Sequence, residues 1–225
     1  GTWKFGGGVH GLTISICTMR PQKLVTLDVE GVLIPEVWIN LARRTGIDAL
    51  MVTTRDEPNY DRLMQKRLSI LDEHGVNMSD VRSVLADMGP LDGAREFLDA
   101  LRVDYQVVLL SDTFEQFAAP LMSQLGYPAI LCHQLRVTND HIVDYVLRID
   151  DHKRRSVEAF RSLNYQVVSA GDSYNDLSML RAANAGALFN APKNVIVENA
   201  DLPSFTDYDD LRAWIGAADP GPSGT

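Results

Sequence analysis

The chain has 225 residues, a formal net charge of −9, 45% hydrophobic and 23% charged residues, the proportions of a globular protein with one good core or a core plus a smaller appendage. Its acidity argues against a nucleic-acid or anionic-membrane surface as the general partner, so an anionic ligand must be met by a few local cations. Two cysteines, Cys17 and Cys132, make no disulfide framework and point to a reducing cytoplasm, and no apolar run reaches transmembrane length.

Residues 1–22, with GGG at 6–8, read as an extension ahead of the fold, and GLTISIC within it is too short and lacks the basic flank of a signal peptide. The first informative stretch is KLVTLDVEGVLIPE, residues 23–36. Its apolar run Leu24–Leu27 predicts a buried strand, and Asp28 and Glu30 stand at the strand's end. Two carboxylates so close repel unless something positive lies between them.

From about Glu36 to Leu91 three helical segments follow without a convincing strand: EVWINLARR, YDRLMQKRLSILDEH and MSDVRSVLADM. An all-helical insert after the first strand predicts a small cap over the strand ends. In its second helix Leu63, Met64, Ile70 and Leu71 mark an apolar face with Arg67 in the middle. That arginine either snorkels outward or turns its planar fork into a cleft, where it suits a carboxylate.

The run VVLL predicts a second strand, and Ser111, Asp112 and Thr113 are expected to open the next helix, as caps and as an anion site. Phe114, Phe117, Leu121, Met122 and Leu125 fall on one helical face. AIL before Cys132 predicts a further strand, and residues 129–149 alternate around TND as a β-hairpin. Lys153 begins another helix with Val157, Phe160 and Leu163 as its stripe, although a lysine at a helix start opposes the macrodipole. QVVSA then leads through Gly171 to Asp172 and Asp176, where Asp172 is either a helix cap or a ligand for a hard cation. The tail at 216–225, GAADPGPSGT, is expected to be disordered.

Strands alternating with helices predict an α/β fold with a doubly wound, Rossmann-like parallel sheet, whose ligands bind beyond the carboxyl ends of the strands. The core would comprise 23–35 and 92–215, the cap 36–91. Each polar residue at a strand end, taken alone, has an ordinary role as a cap or turn former. Together and in this order, Asp28, Ser111, Lys153 and Asp172 resemble the four motifs of the haloacid-dehalogenase superfamily of phosphotransferases.

The resemblance implies that Asp28 is a nucleophile forming an aspartyl phosphate and Glu30 the general acid and base. It places Ser111 and Lys153 on the phosphoryl oxygens, with Asp112 and Asn175 beside the substrate. It implies Mg²⁺ held by Asp28, Asp172 and the carbonyl of Glu30, with Asp176 orienting that shell. The usual pattern has Asp where this chain has the longer Glu30. That departure, with EGVLIPE, TGIDAL, DRLMQKRLSILDEHG, LLSDTF and GDSYND, is similar to the bifunctional phosphoserine phosphatases that also transfer phosphate to homoserine. Arg67 would then meet the substrate carboxylate, and Glu36, otherwise a favourable charge at a helix start, its ammonium group. The rivals are a phosphatase for another small ester, a dehalogenase, and a receiver-type phosphorelay module. The last has no need of a helical insert or of an acid two residues after its phosphorylated Asp.

Overall fold

A computed structural model of the protein describes residues 22–53, 56–57 and 59–218. The expectations for residues 1–21 and 219–225 lie outside these. Strand β1 (Gln22–Leu27) is followed by helix α1 (Val37–Thr45), a 3-10 turn (Asp48–Met51), α2 (Tyr60–Glu73), α3 (Met78–Ala86) and α4 (Ala94–Asp104). Then come β2 (Gln106–Phe114), α5 (Glu115–Met122), the hairpin β3 (Ala129–Thr138) and β4 (His141–Val146), and α6 (His152–Ser162). The chain closes with β5 (Tyr165–Gly171), a 3-10 turn (Tyr174–Asp176), α7 (Leu177–Ala182), β6 (Ala185–Phe189), α8 (Lys193–Glu198), β7 (Ser204–Phe205) and α9 (Tyr208–Ala217).

The strands form one sheet in the order β4-β3-β2-β1-β5-β6-β7, and every pairing except β3 with β4 is parallel. The doubly wound α/β expectation therefore holds. The continuous apolar runs are explained by burial on both faces. Val25, Leu27, Leu109, Val168 and Phe189 enter the larger core layer, whereas their neighbours Leu24, Leu110, Val167 and Leu188 enter a second layer with Val157, Met179 and Val195. Thr26 and Ser169 face each other in the buried sheet and share a 2.6 Å hydroxyl–hydroxyl bond, which removes the cost of burying either.

Between β1 and α4 the described residues form helices and no named strand, as the insert predicts. Leu63, Met64, Ile70 and Leu71 of α2 are buried, so the apolar face read from the sequence is the packed one. The hairpin also stands, turning on Asn139 and Asp140 at φ 48° and 69°, the left-handed pair that a two-residue turn demands.

Several boundaries are corrected. β2 runs through Ser111, Asp112 and Thr113 to Phe114, and the helix opens only at Glu115. Phe114 is extended, at φ −115° and ψ 147°, because the strand continues beside β3 after a register shift between Leu110 and Phe114. Leu163 lies past the end of α6 and is 68% exposed, so it leaves the stripe that Val157 anchors. Gln22, assigned to the extension, begins β1, and α9 carries residues 216 and 217 of the expected tail as regular helix.

Candidate active site

β1 lies between β2 and β5, with Leu27 level with Leu109 on one side and Ala170 on the other. The Asp28 N–H extends that pairing to the Ala170 carbonyl at 3.0 Å. Strand spacing of about 4.8 Å therefore sets Asp28 beside Ser111 within β2 and Asp172 just past β5. This is the crevice where strand order reverses, the usual ligand position of an open α/β sheet.

Lys153, one residue into α6, is 3% exposed and donates to Asp28 Oδ1 at 2.8 Å and to Asp176 Oδ1 at 2.7 Å. Burial opposes its charge, but the carboxylates of Asp176, Asp28 and Asp112 outweigh that and hold the ammonium well above the ordinary lysine range. The unfavourable position at a helix start is thus compensated by ion pairing. Asp176 spends its other oxygen on the N–H groups of Asp172 at 3.0 Å and Ser173 at 3.1 Å. Ser173 and Asp176 close a capping box on the turn after β5, so capping is not the task of Asp172.

Asp28, Asp172 and Asp176 are buried with ligand oxygens within 4.8 Å of one another. Burial and then Asp176 push Asp28 well above the carboxylate range despite Lys153. Burial, Asp176 and Glu36 push Asp172 up to about 7. Carboxylates that raise one another's pKa in this way suit a hard divalent cation. The backbone is shaped for the same closeness: a Cβ on Gly31, at φ 78°, would sit 2.5 Å from Asp172 Oδ2. Only glycine lets the turn after Glu30 approach that carboxylate.

Glu30 faces a different partner. Its Oε2 accepts the Val37 N–H at 2.9 Å, capping α1 in place of Glu36, whose side chain makes no cap bond. Burial raises the Glu30 carboxyl, opposed by the Val37 amide, by Thr113, whose hydroxyl faces it without closing a well-formed hydrogen bond, and by Arg67. The two acids thus coexist because each has its own positive neighbour, Lys153 for Asp28 and the start of α1 for Glu30.

Arg67 does not snorkel outward. It is 7% exposed, lies 4.4 Å from the centre of the Trp38 ring and donates from Nη2 to the Val52 carbonyl at 2.9 Å. Its Nε is buried without a hydrogen-bond partner, and no carboxylate among the described residues lies within ion-pair distance. A cleft of about 120 Å³ is lined by Asp28, Ser111, Lys153 and Asp172 together with Glu30, Glu36, Trp38 and Arg67.

Asp112 and Asn175 line the cleft as well, but Asp112 is committed to protein partners. Its carboxylate meets His152 Nε2 at 3.0 Å, His133 Nε2 at 3.5 Å, Asn175 Nδ2 at 2.7 Å and Lys153 at 3.5 Å. Against its burial, Lys153 and then the two histidines hold it well below the carboxylate range. Asp112 thus anchors Asn175 and Lys153, a task better suited to an anion than meeting a phosphate. Sequence reading missed His133, His152, Tyr60 and Trp38. Of these His152, directly before Lys153, and Trp38, two residues after Glu36, stood beside predicted site residues; His133 and Tyr60 reach the site through contacts distant in sequence.

The haloacid dehalogenase-like hydrolase family model matches residues 36–181. The chain is 56% identical to phosphoserine phosphatase ThrH of Pseudomonas aeruginosa over 85% of its length and 94% of that protein's. It is 53% identical to a phosphoserine phosphatase of Pseudomonas syringae pv. tomato, covering 84% of this chain and 81% of the relative. In fold it is similar to a substrate-bound phosphoserine phosphatase complex, with a TM-score of 0.73 and 21% identity over 89% of this chain and all of that one (100%). A parallel sheet with an acidic, lysine-clamped crevice at its switch point, together with these matches, makes the chain a member of the haloacid dehalogenase-like hydrolase family.

Proposed function

We propose that the protein is a Mg²⁺-dependent phosphoserine phosphatase that works through an aspartyl phosphate on Asp28 and passes the phosphoryl group to water or to homoserine. The observation that carries this reading is the pairing, in one small cleft, of the lysine-clamped carboxylate cluster with a buried arginine whose Nε lacks a partner. A phosphate monoester bearing a carboxylate a few bonds away suits such a cleft once a divalent cation offsets its acids: the phosphoryl group would meet Lys153 and that cation, and the carboxylate Arg67. The names of the curated relatives support the same substrate.

In this mechanism the oxygen of Asp28 not held by Lys153 attacks phosphorus while the bond to the serine oxygen breaks. Glu30 gives its proton to the departing alkoxide, and burial, which raises its pKa, favours the protonated form that a donor needs. Lys153 and Ser111 hold the phosphoryl oxygens. An acceptor hydroxyl then returns its proton to Glu30 as it attacks phosphorus and releases Asp28. Arg67 receives the substrate carboxylate, and Glu36 its ammonium. Asp28, Asp172 and the Glu30 carbonyl would hold Mg²⁺, which neutralises charge on the transferring group. Asp176 keeps Asp172 in place through its backbone N–H. Residues 36–91 serve as a cap on a core made of 23–35 and 92–215.

The test follows phosphoserine turnover with and without homoserine, in Mg²⁺ and in chelator, measuring free phosphate and phosphohomoserine together. The expected result is Mg²⁺-dependent phosphate release, with phosphohomoserine formed at its expense. Activity undiminished in chelator removes the metal role of Asp172, and preference for a phosphate ester lacking a carboxylate removes phosphoserine.

A further inference from the structure

The β3–β4 hairpin leaves the sheet edge and is tied to the helical insert at two separate points. At its tip the Asp140 carbonyl accepts the Met78 N–H at 2.8 Å, and the Asp140 carboxylate accepts the Ser79 N–H at 3.1 Å and the Ser79 hydroxyl. A turn residue 61 positions away thereby satisfies amides at the start of α3 that no helical carbonyl can reach. Nearer its base the Tyr145 hydroxyl donates to Asp61 at 2.5 Å, in the first turn of α2.

Aromatic packing joins the second tie to the cleft. The Tyr145 ring meets Tyr60 edge-on at 5.9 Å and Phe114 at 6.3 Å. Tyr60 donates to the Asp112 carbonyl at 3.1 Å and lines the cleft on the helix that carries Arg67. These ties run between the sheet and α2 or α3, and neither Asp140 nor Tyr145 is among the residues lining the cleft.

We propose that the hairpin is a clasp that holds α2 and α3 over the cleft, and that Asp140 and Tyr145 thereby set how the phosphoryl-enzyme divides between water and an alcohol. This rests on the reading that Asp28 becomes phosphorylated. In either branch the bond from phosphorus to Asp28 breaks, a bond to the acceptor oxygen forms, and the acceptor proton passes to Glu30. Only the position of the helices differs. Water reaches the phosphoryl group whenever they part, whereas an alcohol bound through Arg67 is delivered only while they stay down. Loosening the clasp therefore favours water.

The probe is radiolabelled serine, which accepts the phosphoryl group from Asp28 to give labelled phosphoserine and needs no homoserine. Wild type, Tyr145→Phe and Asp140→Gly are incubated with phosphoserine, labelled serine and Mg²⁺, and labelled phosphoserine is compared with free phosphate. Glycine at 140 keeps the positive φ while removing the carboxylate. The expected outcome is a fall of about three- to ten-fold in the ratio of exchange to hydrolysis, the worth of one lost hydrogen bond. The rate of phosphoryl-enzyme formation should stay unchanged, and amide hydrogen exchange should quicken in α2 and α3. An unchanged ratio with faster amide exchange, or amide exchange no faster than wild type in either variant, overturns the proposal. A wild type that forms no phosphoryl-enzyme sinks the Asp28 reading instead, and the amide-exchange arm still decides whether the hairpin is a clasp.

Discussion

Lys153 and Arg67 are both buried cations facing one cleft, yet they are held in opposite ways. Lys153 has two carboxylates within 2.8 Å and a third at 3.5 Å, and all of its partners are protein groups. Its pairing raises its pKa, so the stabilisation is complete below the unfolded value of 10.5 and fades only as pH climbs through the higher folded value. Arg67 rests on an aromatic ring and one backbone carbonyl, its pKa brought down to about 10 by burial against the pull of Glu30, Tyr60 and Glu36. A saturated cation organises the chemistry before any ligand arrives. A buried cation with an unpartnered donor selects the ligand, because an acceptor recovers the cost of that donor and an anionic one recovers most.

Changes beside the two cations should therefore read out differently. The largest effect falls beside the saturated one. Asp28→Asn, with the same shape and no nucleophile, should lower kcat on the order of 10⁴-fold or more and abolish trapping of phosphoryl-enzyme, while circular dichroism stays unchanged. Substantial turnover in a clean preparation ends the covalent mechanism.

Glu30→Gln should slow breakdown of the phosphoryl-enzyme roughly 10²–10⁴-fold, to water and to homoserine alike. An aryl phosphate, whose leaving group needs no proton, should still load the enzyme, so phosphoryl-enzyme accumulates. If no donor loads it while Mg²⁺ still binds, Glu30 organises the start of α1 and the acid/base role belongs elsewhere.

Stability sharpens the contrast. Asp172 rises from 3.8 to about 7 on folding, so in metal-free protein its cost vanishes only well below pH 3.8. The cost grows as the unfolded chain alone ionises, and it levels off above pH 7 at up to about 4 kcal/mol. Asp172→Asn should therefore stabilise chelator-treated protein at pH 8 and change little at pH 4, as measured by urea denaturation. Equal differences at both pH values remove the raised Asp172 pKa, and with it the cost of burying that carboxylate beside Asp176.

The smallest effect belongs to the unsaturated cation. Arg67→Ala should raise KM for phosphoserine by about 10- to 100-fold, the loss of one charge-assisted contact of about 1.5–3 kcal/mol. KM for an aryl phosphate, which has no carboxylate, should barely move. Equal losses for both substrates make Arg67 a packing residue on Trp38.

Much of this protein could be read from local sequence. The runs LVTL, VVLL and QVVSA are apolar on both faces, and that alone requires strands covered on two sides by helices, with their polar residues left to the ends. Asn139 and Asp140 between alternating residues required the hairpin turn, and the absence of a strand among the described residues between β1 and α4 matches the three helical segments read there. β6 and β7, five and two residues long, are too short to display a period.

What only the tertiary structure decided is who partners whom. Spacing cannot say that β2 continues through Asp112, because that depends on β3 lying alongside, nor that the Asp112 carboxylate meets two histidines. Whether Arg67 points out or in was open until Trp38 and Val52 were brought beneath it by a different helix and a turn. The cause is the range of the forces. Burial and backbone preference act within a few residues and leave a period in the chain, whereas ion pairs and caps join groups 125 and 61 residues apart and leave none.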